Sequence, residues 1–170
     1  TCGSVREVVE AIPLLRLPQN ECSSHYLVAD ESGECATIEF LGGRFVCHTG
    51  ENLPVKALAN APYAAGIAFM ENGLIPTDNP GDSVERVAAA AARINSFHPD
   101  HGESPVDYVL EILSETVAAP RKWWSNLLGE PYTRWNIAFD IGRREVHFRT
   151  VTNPAVRRLS LHSFDFSCQA

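Results

Sequence analysis

Cysteine and histidine side chains are the first candidates for chemistry in this 170-residue sequence, and their spacing argues against a metal site. The five cysteines are odd in number, and no two of them form a Cys-x-x-Cys pair. A zinc site needs thiolates and imidazoles at short spacing, whereas these are scattered along the chain. The closest histidines, His98 and His101, lie in a segment of loop-forming residues. We therefore expect free, mostly buried thiols, and no metal ion or organic cofactor is implied.

The overall composition indicates a globular domain with an acidic surface. Hydrophobic residues make up 45% of the chain and charged residues 21%, and the net charge is −7. An acidic balance argues against a general nucleic-acid binder, which needs a basic face to meet phosphates. No apolar run is long enough to cross a bilayer, so no membrane partner is expected. The compartment stays open: cytoplasmic, or periplasmic or secreted if a precursor carries a signal peptide.

Local signals predict a short helix near the start of the chain. Ser4 and Glu7 have the spacing of a capping box, in which the hydroxyl accepts from the backbone while the carboxylate reaches back. Apolar residues at helical spacing follow, as far as Ile12. Because Pro13 lacks an amide hydrogen, we expect it to end the helix.

A β meander is predicted next, with strands at residues 25–29, 35–41 and 44–49. In the middle strand Ala36, Ile38 and Phe40 alternate with other residues and share one face. The Gly42-Gly43 pair between the second and third strands is a strong signal for a two-residue hairpin turn. Residues 50–81 are richer in Gly and Pro and are predicted as loops, which often carry binding groups.

Two helices and a second group of strands complete the predicted elements. One helix covers residues 82–97, with an apolar stripe of Val84, Val87, Ala91 and Ile94. The next begins with Ser104 as cap and Pro105 at its first position, is limited by Pro120, and buries Val106, Val109, Leu110 and Leu113. The final strands are predicted at residues 133–140, 145–150 and 156–161. Helices between two groups of strands predict a layered α+β fold.

Two polar residues stand out for chemistry near the middle of the chain. Asn60 lies in Leu-Ala-Asn-Ala-Pro-Tyr, and Arg86 follows the Pro-Gly-Asp segment that precedes the first of the two central helices. From the residues alone, an asparagine before a proline-containing loop is an ordinary turn former. A cation on the first turns of a helix is slightly unfavourable, because the helix N-terminus carries partial positive charge. That conflict hints that Arg86 has a further role.

The order of several short motifs resembles the choloylglycine hydrolase family, the linear-amide hydrolases that include bile salt hydrolases and penicillin V acylases. The motifs, in chain order, are His-Tyr-Leu-Val-Ala-Asp from residue 25, Ile-Glu from 38, Leu-Ala-Asn-Ala-Pro-Tyr from 58, Pro-Gly-Asp from 80, Tyr-Thr-Arg-Trp from 132, Phe-Arg-Thr from 148 and Phe-Asp-Phe-Ser from 164. Each motif is weakly specific alone, but their order and spacing together are more specific. The resemblance covers about residues 5–167, nearly the whole chain.

This resemblance implies an αββα four-layer sandwich of the N-terminal-nucleophile hydrolase type. In that family an N-terminal cysteine attacks the amide carbonyl and its own α-amino group serves as the base. An α-amine titrates near neutrality, at about 7.7–8.0 when unperturbed, so it can accept the thiol proton at working pH. Hydrogen-bond donors must then stabilise the oxyanion that develops.

The resemblance assigns catalytic roles to Asn60 and Arg86. Asn60 matches the asparagine of the family's Thr-Asn-x-Pro motif, which contributes to the oxyanion hole, and Arg86 matches an arginine close to the nucleophile. The segment around Arg86 departs from the family, because only residues 83–85 separate it from Gly-Asp and Val87 replaces a phenylalanine. Arg93 is the alternative arginine, since it lies seven residues further along the same helix.

Three other sites are weaker candidates. Thr133 resembles a structural threonine of the family. Trp123 and Trp124 fit either an acyl pocket or ordinary surface packing, of which the packing is favoured. Thr1 or Cys2 is an alternative N-terminal nucleophile, although Cys2 precedes a helix, whereas the family's nucleophile opens a core strand.

The resemblance also implies that residues 1–170 are the C-terminal portion of a larger domain whose first half carries the nucleophile. Without that half, a sheet face and a sheet edge would be exposed. We therefore expect the N-terminal portion of the same enzyme as a companion chain, or an oligomer. The leading function is hydrolysis of an N-acyl linear amide of the bile-salt conjugate, penicillin V or acyl homoserine lactone type. The alternative is a non-catalytic binding or structural module that keeps the fold without the nucleophile.

Overall fold

The protein folds as mixed helix and sheet, as expected for the α+β class. The structure is a computed structural model that describes residues 2–14, 25–77, 82–99, 102–116 and 133–167. Its regular elements, in chain order, are α1 Val5–Ala11, β1 Tyr26–Ala29, β2 Cys35–Leu41, β3 Arg44–Thr49, α2 Tyr63–Glu71, α3 Ser83–Asn95, α4 Pro105–Glu115, β4 Trp135–Asp140, β5 Glu145–Thr150 and β6 Asn153–Ser160. Single turns of 3₁₀ helix cover Ile12–Leu14, Gly50–Asn52 and Leu161–Ser163. None of the helices within the described ranges has the length and apolarity that a bilayer crossing requires.

The chain divides into two compact units, Thr1–Asn95 and Ser96–Ala170, called here the first and second units. Each unit contains one three-stranded antiparallel sheet, ordered β1-β2-β3 in the first unit and β4-β5-β6 in the second. The expectation that residues 1–170 form one portion of a larger domain stays a prediction.

Capping chemistry defines α1 as predicted. Ser4 Oγ accepts from the backbone N–H of Glu7 over 3.2 Å, and the Glu7 carboxylate accepts from the backbone N–H of Gly3 over 2.7 Å. The α-helix ends before Pro13, which lies in a single 3₁₀ turn. The Asp30 carboxylate accepts from the N–H of Val5 over 2.9 Å and ties this helix to the turn after β1.

The centre of the first unit is β2, which is buried on both faces. Ala36 and Ile38 are buried on one face, and Thr37 and Glu39 are buried on the other, each with at most 1% of its surface exposed. Gly42 and Gly43 connect β2 to β3 with φ angles of 57° and 76°, the left-handed conformation that a two-residue hairpin demands, so the predicted turn is confirmed.

Helix α2 falls in the region that was predicted as loops, so that part of the prediction is wrong. It packs against α3 at Gly66, where an added Cβ would lie 3.1 Å from Cγ1 of Val87. The stripe predicted for α3 is correct at Val87 and Ala91, which are buried, but Ile94 is 38% exposed. The helix ends at Asn95, short of residue 97.

In the second unit α4 packs against β4. Ser104 caps α4 and Pro105 opens it, as predicted. The helix buries Tyr108, Leu110 and Ile112, whereas Val109, a predicted core residue, is 42% exposed because the packed side of α4 is rotated away from it. The Arg149 guanidinium, on β5, donates to the carbonyl of Leu110 and to the hydroxyl of Ser114.

The other face of the second sheet is apolar and incompletely covered. Ala138 is buried on the α4 side, so the alternate residues of β4 point the other way, and Trp135 and Phe139 there are 62% and 66% exposed. Strand register adds apolar residues of β5 and β6 to this surface. We call it the open face and define it by Trp135, Ile137, Phe139, Val146, Phe148 and Leu159.

The described cysteines, Cys2, Cys35 and Cys47, are all free. Cys2 is exposed and the other two are half-buried, so the expectation of mostly buried thiols is wrong for these three. Partial burial raises the pKa of the Cys47 thiol, which makes its reactive thiolate scarcer at neutral pH.

Candidate functional site

The candidate site lies where the turn that precedes α2 meets the first turns of α3. A 3₁₀ turn and a segment without regular structure lead from β3 to Asn60, and Pro62 then directs the chain into α2. Helix α3 begins at Ser83, so Ser83 and Arg86 are three residues apart and project from the same side of the helix. That side meets the turn at residues 60 and 61.

Two hydrogen bonds join this turn to α3. The backbone N–H of Ala61 donates to Ser83 Oγ over 2.6 Å, and the guanidinium of Arg86 donates from Nη2 to Oδ1 of Asn60 over 3.0 Å. The two residues that the sequence singled out, 26 positions apart in the chain, are therefore in direct contact. Their catalytic roles stay predictions.

The Arg86 contact fixes the orientation of the Asn60 side-chain amide. A guanidinium carries only donors, so the amide atom that faces it must be the oxygen. The amide nitrogen Nδ2 is consequently turned away from Arg86. Because the cation draws electron density toward Oδ1, it also strengthens Nδ2 as a hydrogen-bond donor. Asn60 is exposed, so its Nδ2 donor is accessible, whereas the guanidinium of Arg86 that holds it belongs to a half-buried residue.

A buried carboxylate on β2 anchors the other end of the same turn. Glu39, none of whose surface is exposed, accepts from the backbone N–H of Tyr63 through Oε1 over 3.0 Å. The Tyr63 hydroxyl in turn donates to the carbonyl of Val55 and accepts from its N–H. Burial raises the pKa of Tyr63, which keeps this hydroxyl protonated as the bridge requires.

Two histidines flank that carboxylate. His25 Nδ1 lies 2.7 Å from Glu39 Oε1, within ion-pair distance when the imidazole is protonated, although its angle lies outside hydrogen-bond geometry. His48 Nε2 is 3.9 Å from Oε2, and the His48 ring packs on the Tyr63 ring at a centroid distance of 4.8 Å. Across the described parts of the chain, no group of three or more histidine, cysteine, aspartate or glutamate side chains is arranged to hold a metal ion.

Sequence reasoning missed Glu39 and Tyr63. Alternation placed Ala36, Ile38 and Phe40 on one face of β2, and no burial was predicted for the face that carries Glu39. The available signal was topological: β2 is the central strand of its sheet and is followed by helices, so both of its faces can be covered.

The remaining predicted residues lie elsewhere. Arg93 is half-buried on α3, about 10 Å along the helix axis from Arg86. Thr133 is half-buried before β4 and, with Trp135 and Arg149 among others, lines a cavity of about 210 Å³ in the second unit. Cys2 is exposed ahead of α1. Thr1, Trp123 and Trp124 lie outside the described residues.

Comparison with known proteins identifies related folds. No family model matches the sequence, and no curated protein matches it. Among solved structures, penicillin V acylase from Agrobacterium tumefaciens superposes with a TM-score of 0.71 at 19% identity over 97% of this chain. Two variants of conjugated bile acid hydrolase from Clostridium perfringens give TM-scores of 0.69 and 0.70 at 14% identity over 95% of the chain.

These likenesses show that the chain has the fold of the corresponding part of those enzymes. The chain spans 54% of the length of the penicillin V acylase and 59% of the bile acid hydrolases. The fold resemblance expected from the sequence motifs is thereby supported.

Proposed function

We propose that this chain is the C-terminal portion of a cysteine N-terminal-nucleophile hydrolase that cleaves the amide bond of an N-acyl linear amide. The structural neighbours are an acylase and a hydrolase of conjugated bile acids, and the chain has the fold of just over half of each. Bile-salt conjugates, phenoxyacyl penicillins and N-acyl homoserine lactones are the substrate types that this class suggests. The nucleophile lies on the N-terminal portion of the enzyme.

The hydrogen bond between Arg86 and Asn60 is the observation that carries this proposal. An oxyanion hole needs an uncharged donor held before the reaction begins, so that no reorganisation is required as negative charge develops. Arg86 holds the Asn60 oxygen and leaves Nδ2 to donate. The amide orientation that results is the one that an oxyanion donor requires.

The residues of this chain act at one stage of the reaction. The N-terminal cysteine attacks the amide carbonyl after its α-amine has accepted the thiol proton, and the carbonyl oxygen becomes negatively charged. Asn60 Nδ2 donates to that oxygen, while Arg86 supports Asn60 and adds a positive charge nearby. Collapse of the intermediate expels the amine, which takes its proton from the α-ammonium, and leaves an acyl-enzyme for water to hydrolyse.

The open face supports the four-layer part of the proposal. The side of the sheet away from α4 carries exposed apolar side chains, which suits the inner position of an αββα sandwich. We propose that a second sheet layer covers this face in the complete enzyme, with the N-terminal portion as the companion that completes the core.

Two substitutions of Asn60 in the complete protein test the function. Asn60→Ala removes the donor and is expected to lower kcat by about 10²–10³. Asn60→Asp keeps the size and the oxygen that faces Arg86 but replaces the NH₂ donor with an acceptor, so it should lower kcat at least as much. Steady-state hydrolysis of a phenoxyacyl penicillin and of a bile-salt conjugate provides the measurement.

Asn52→Ala is the matched control, because Asn52 is also an exposed asparagine of the first unit. It should leave kcat unchanged. Turnover that survives both Asn60 variants would remove Asn60 from the site. No hydrolysis of any acyl amide by the complete wild-type protein would instead favour a binding or structural module.

A further inference from the structure

The first unit contains a buried carboxylate that the mechanism above does not use. Glu39 is fully buried in the middle of the central strand, where a charged side chain is costly unless it is paired or hydrogen-bonded. Of its two oxygens, Oε1 accepts from the Tyr63 N–H and lies against His25, whereas Oε2 has no hydrogen-bond partner among the described residues. The hydrogen bond that Glu39 forms is therefore with the backbone N–H of Tyr63, the first residue of α2.

We propose that Glu39 is a positioning residue that sets the location of Asn60 through the backbone of Tyr63. This inference rests on the proposed function, since it explains how the oxyanion donor is held. The first N–H groups of a helix have no partner within the helix, and Glu39 satisfies the one at Tyr63. Only Ala61 and Pro62 separate that anchor from Asn60.

The turn is held from both ends, which is why a contact three residues away fixes Asn60. Ser83 accepts from Ala61 on the α3 side, and Glu39 accepts from Tyr63 on the β2 side. Pro62 between them has a restricted φ, here −51°, so the segment has few ways to move. The hydroxyl of Tyr63 adds a third attachment, to the backbone of Val55.

Two substitutions separate the reach of the Glu39 side chain from its charge. Glu39→Gln keeps a carbonyl oxygen at the position of Oε1 and places its NH₂ where Oε2 has no partner. Glu39→Asp keeps the charge but withdraws the oxygens by about 1.5 Å, so that the Tyr63 bond is lost. We expect Glu39→Asp to lower kcat by about 10- to 100-fold with KM unchanged, and Glu39→Gln to retain nearly full kcat.

An activity-independent measurement accompanies the kinetics. The side-chain NH₂ resonances of Asn60, observed by NMR in the complete protein, should shift in Glu39→Asp and stay in place in Glu39→Gln. Thr37→Val is the matched control, because Thr37 is equally buried on the same face of β2 and its hydroxyl has no hydrogen-bond partner in the described chain. It should change neither the resonances nor kcat.

The outcomes are distinguishable from a failure of the proposed function. Asn60 resonances that stay in place in Glu39→Asp, or equal loss of kcat in the two Glu39 variants, would overturn the positioning role. Resonances that shift as expected, combined with an Asn60→Ala enzyme of unchanged turnover, would uphold the positioning role and refute the catalytic role of Asn60.

Hydrogen exchange in the wild-type protein tests the anchor without any substitution, so the result does not depend on whether a variant folds. Tyr63 and Ala64 are the first two residues of α2, and only the Tyr63 N–H points to a buried acceptor. We expect hydrogen exchange at Tyr63 to be slowed well beyond that at the exposed Ala64. Equal exchange rates at the two amides would contradict the anchor.

Discussion

Each of the two units contains a three-stranded antiparallel sheet, but the two sheets differ in how their faces are covered. In the first unit β2 is buried on both faces, and even its polar residues, Thr37 and Glu39, are fully enclosed. In the second unit one face is covered by α4 and the open face keeps Trp135 and Phe139 largely exposed. The candidate site belongs to the unit whose central strand is buried on both faces.

This difference shows that the contacts of the candidate site are made within one unit, while the proposed further layer concerns the sheet of the other unit. Asn60 and Arg86 are held by contacts within the first unit. The open face, in contrast, is an apolar surface of the kind that monomeric proteins rarely leave exposed. Substitutions in the two units should therefore report on different properties.

The largest effect is expected from Phe139→Ala on the open face. If a second sheet layer covers this face in the complete enzyme, the substitution leaves a cavity and should lower the free energy of unfolding by about 3–5 kcal/mol. Urea denaturation of the complete protein is the measurement. Ile75→Ala serves as the control, because Ile75 is 85% exposed and its loss should change stability by no more than about 0.5 kcal/mol. A Phe139 effect as small as the control would show that the face stays exposed.

A smaller effect is expected from Arg86 in the first unit. Arg86→Ala leaves the Asn60 amide free to rotate, so kcat should fall about tenfold or more, which corresponds to about 1.4 kcal/mol of transition-state stabilisation. Arg93→Ala, on the same helix, should leave kcat unchanged. Hydrolysis kinetics at several pH values provide the comparison, and a larger loss from Arg93 than from Arg86 would reassign the arginine.

The smallest effect concerns the link between α1 and the turn after β1. Hydrogen bonds from Ser32, and then from the Val5 N–H, lower the pKa of Asp30 below its ordinary value of 3.8. Because the folded-state pKa is the lower one, the stabilisation is present above pH 3.8 and is lost as the pH falls through the folded-state value. The difference in melting temperature between wild type and Asp30→Asn should therefore shrink on acidification below pH 3.8. Glu31→Gln is the neighbouring control, and a difference that is constant with pH would contradict the assignment.

The sequence predicted best those features that depend on neighbouring residues. The Gly42-Gly43 turn, the Ser4 cap and the Ser104-Pro105 helix start each follow from the conformations and hydrogen bonds of adjacent residues, and all three are present. Helix α2 was missed because Pro62 and Gly66 weaken its local signal, although Pro62 only precedes the helix.

Features that depend on distant contacts were not predictable in the same way. Val109 and Ile94 have the spacing of core residues, yet their burial depends on which neighbour each helix packs against. Glu39 accepts its hydrogen bond from Tyr63, 24 positions further along the chain, a contact that strand alternation does not indicate. The resemblance singled out Asn60 and Arg86 separately, and their contact was not predicted, since nothing in the local pattern of either residue indicates the other.

The close approach of α2 and α3 has a consequence for how this protein can vary. Gly66 lies so near Val87 that a methyl group at position 66 would crowd the valine side chain at 3.1 Å. Asn60 lies in the turn just before α2 and Arg86 lies on α3, so the separation of the two helices affects the distance between these two residues. We therefore expect a larger residue at position 66 to be tolerated best alongside a smaller one at position 87, so that the two positions change together.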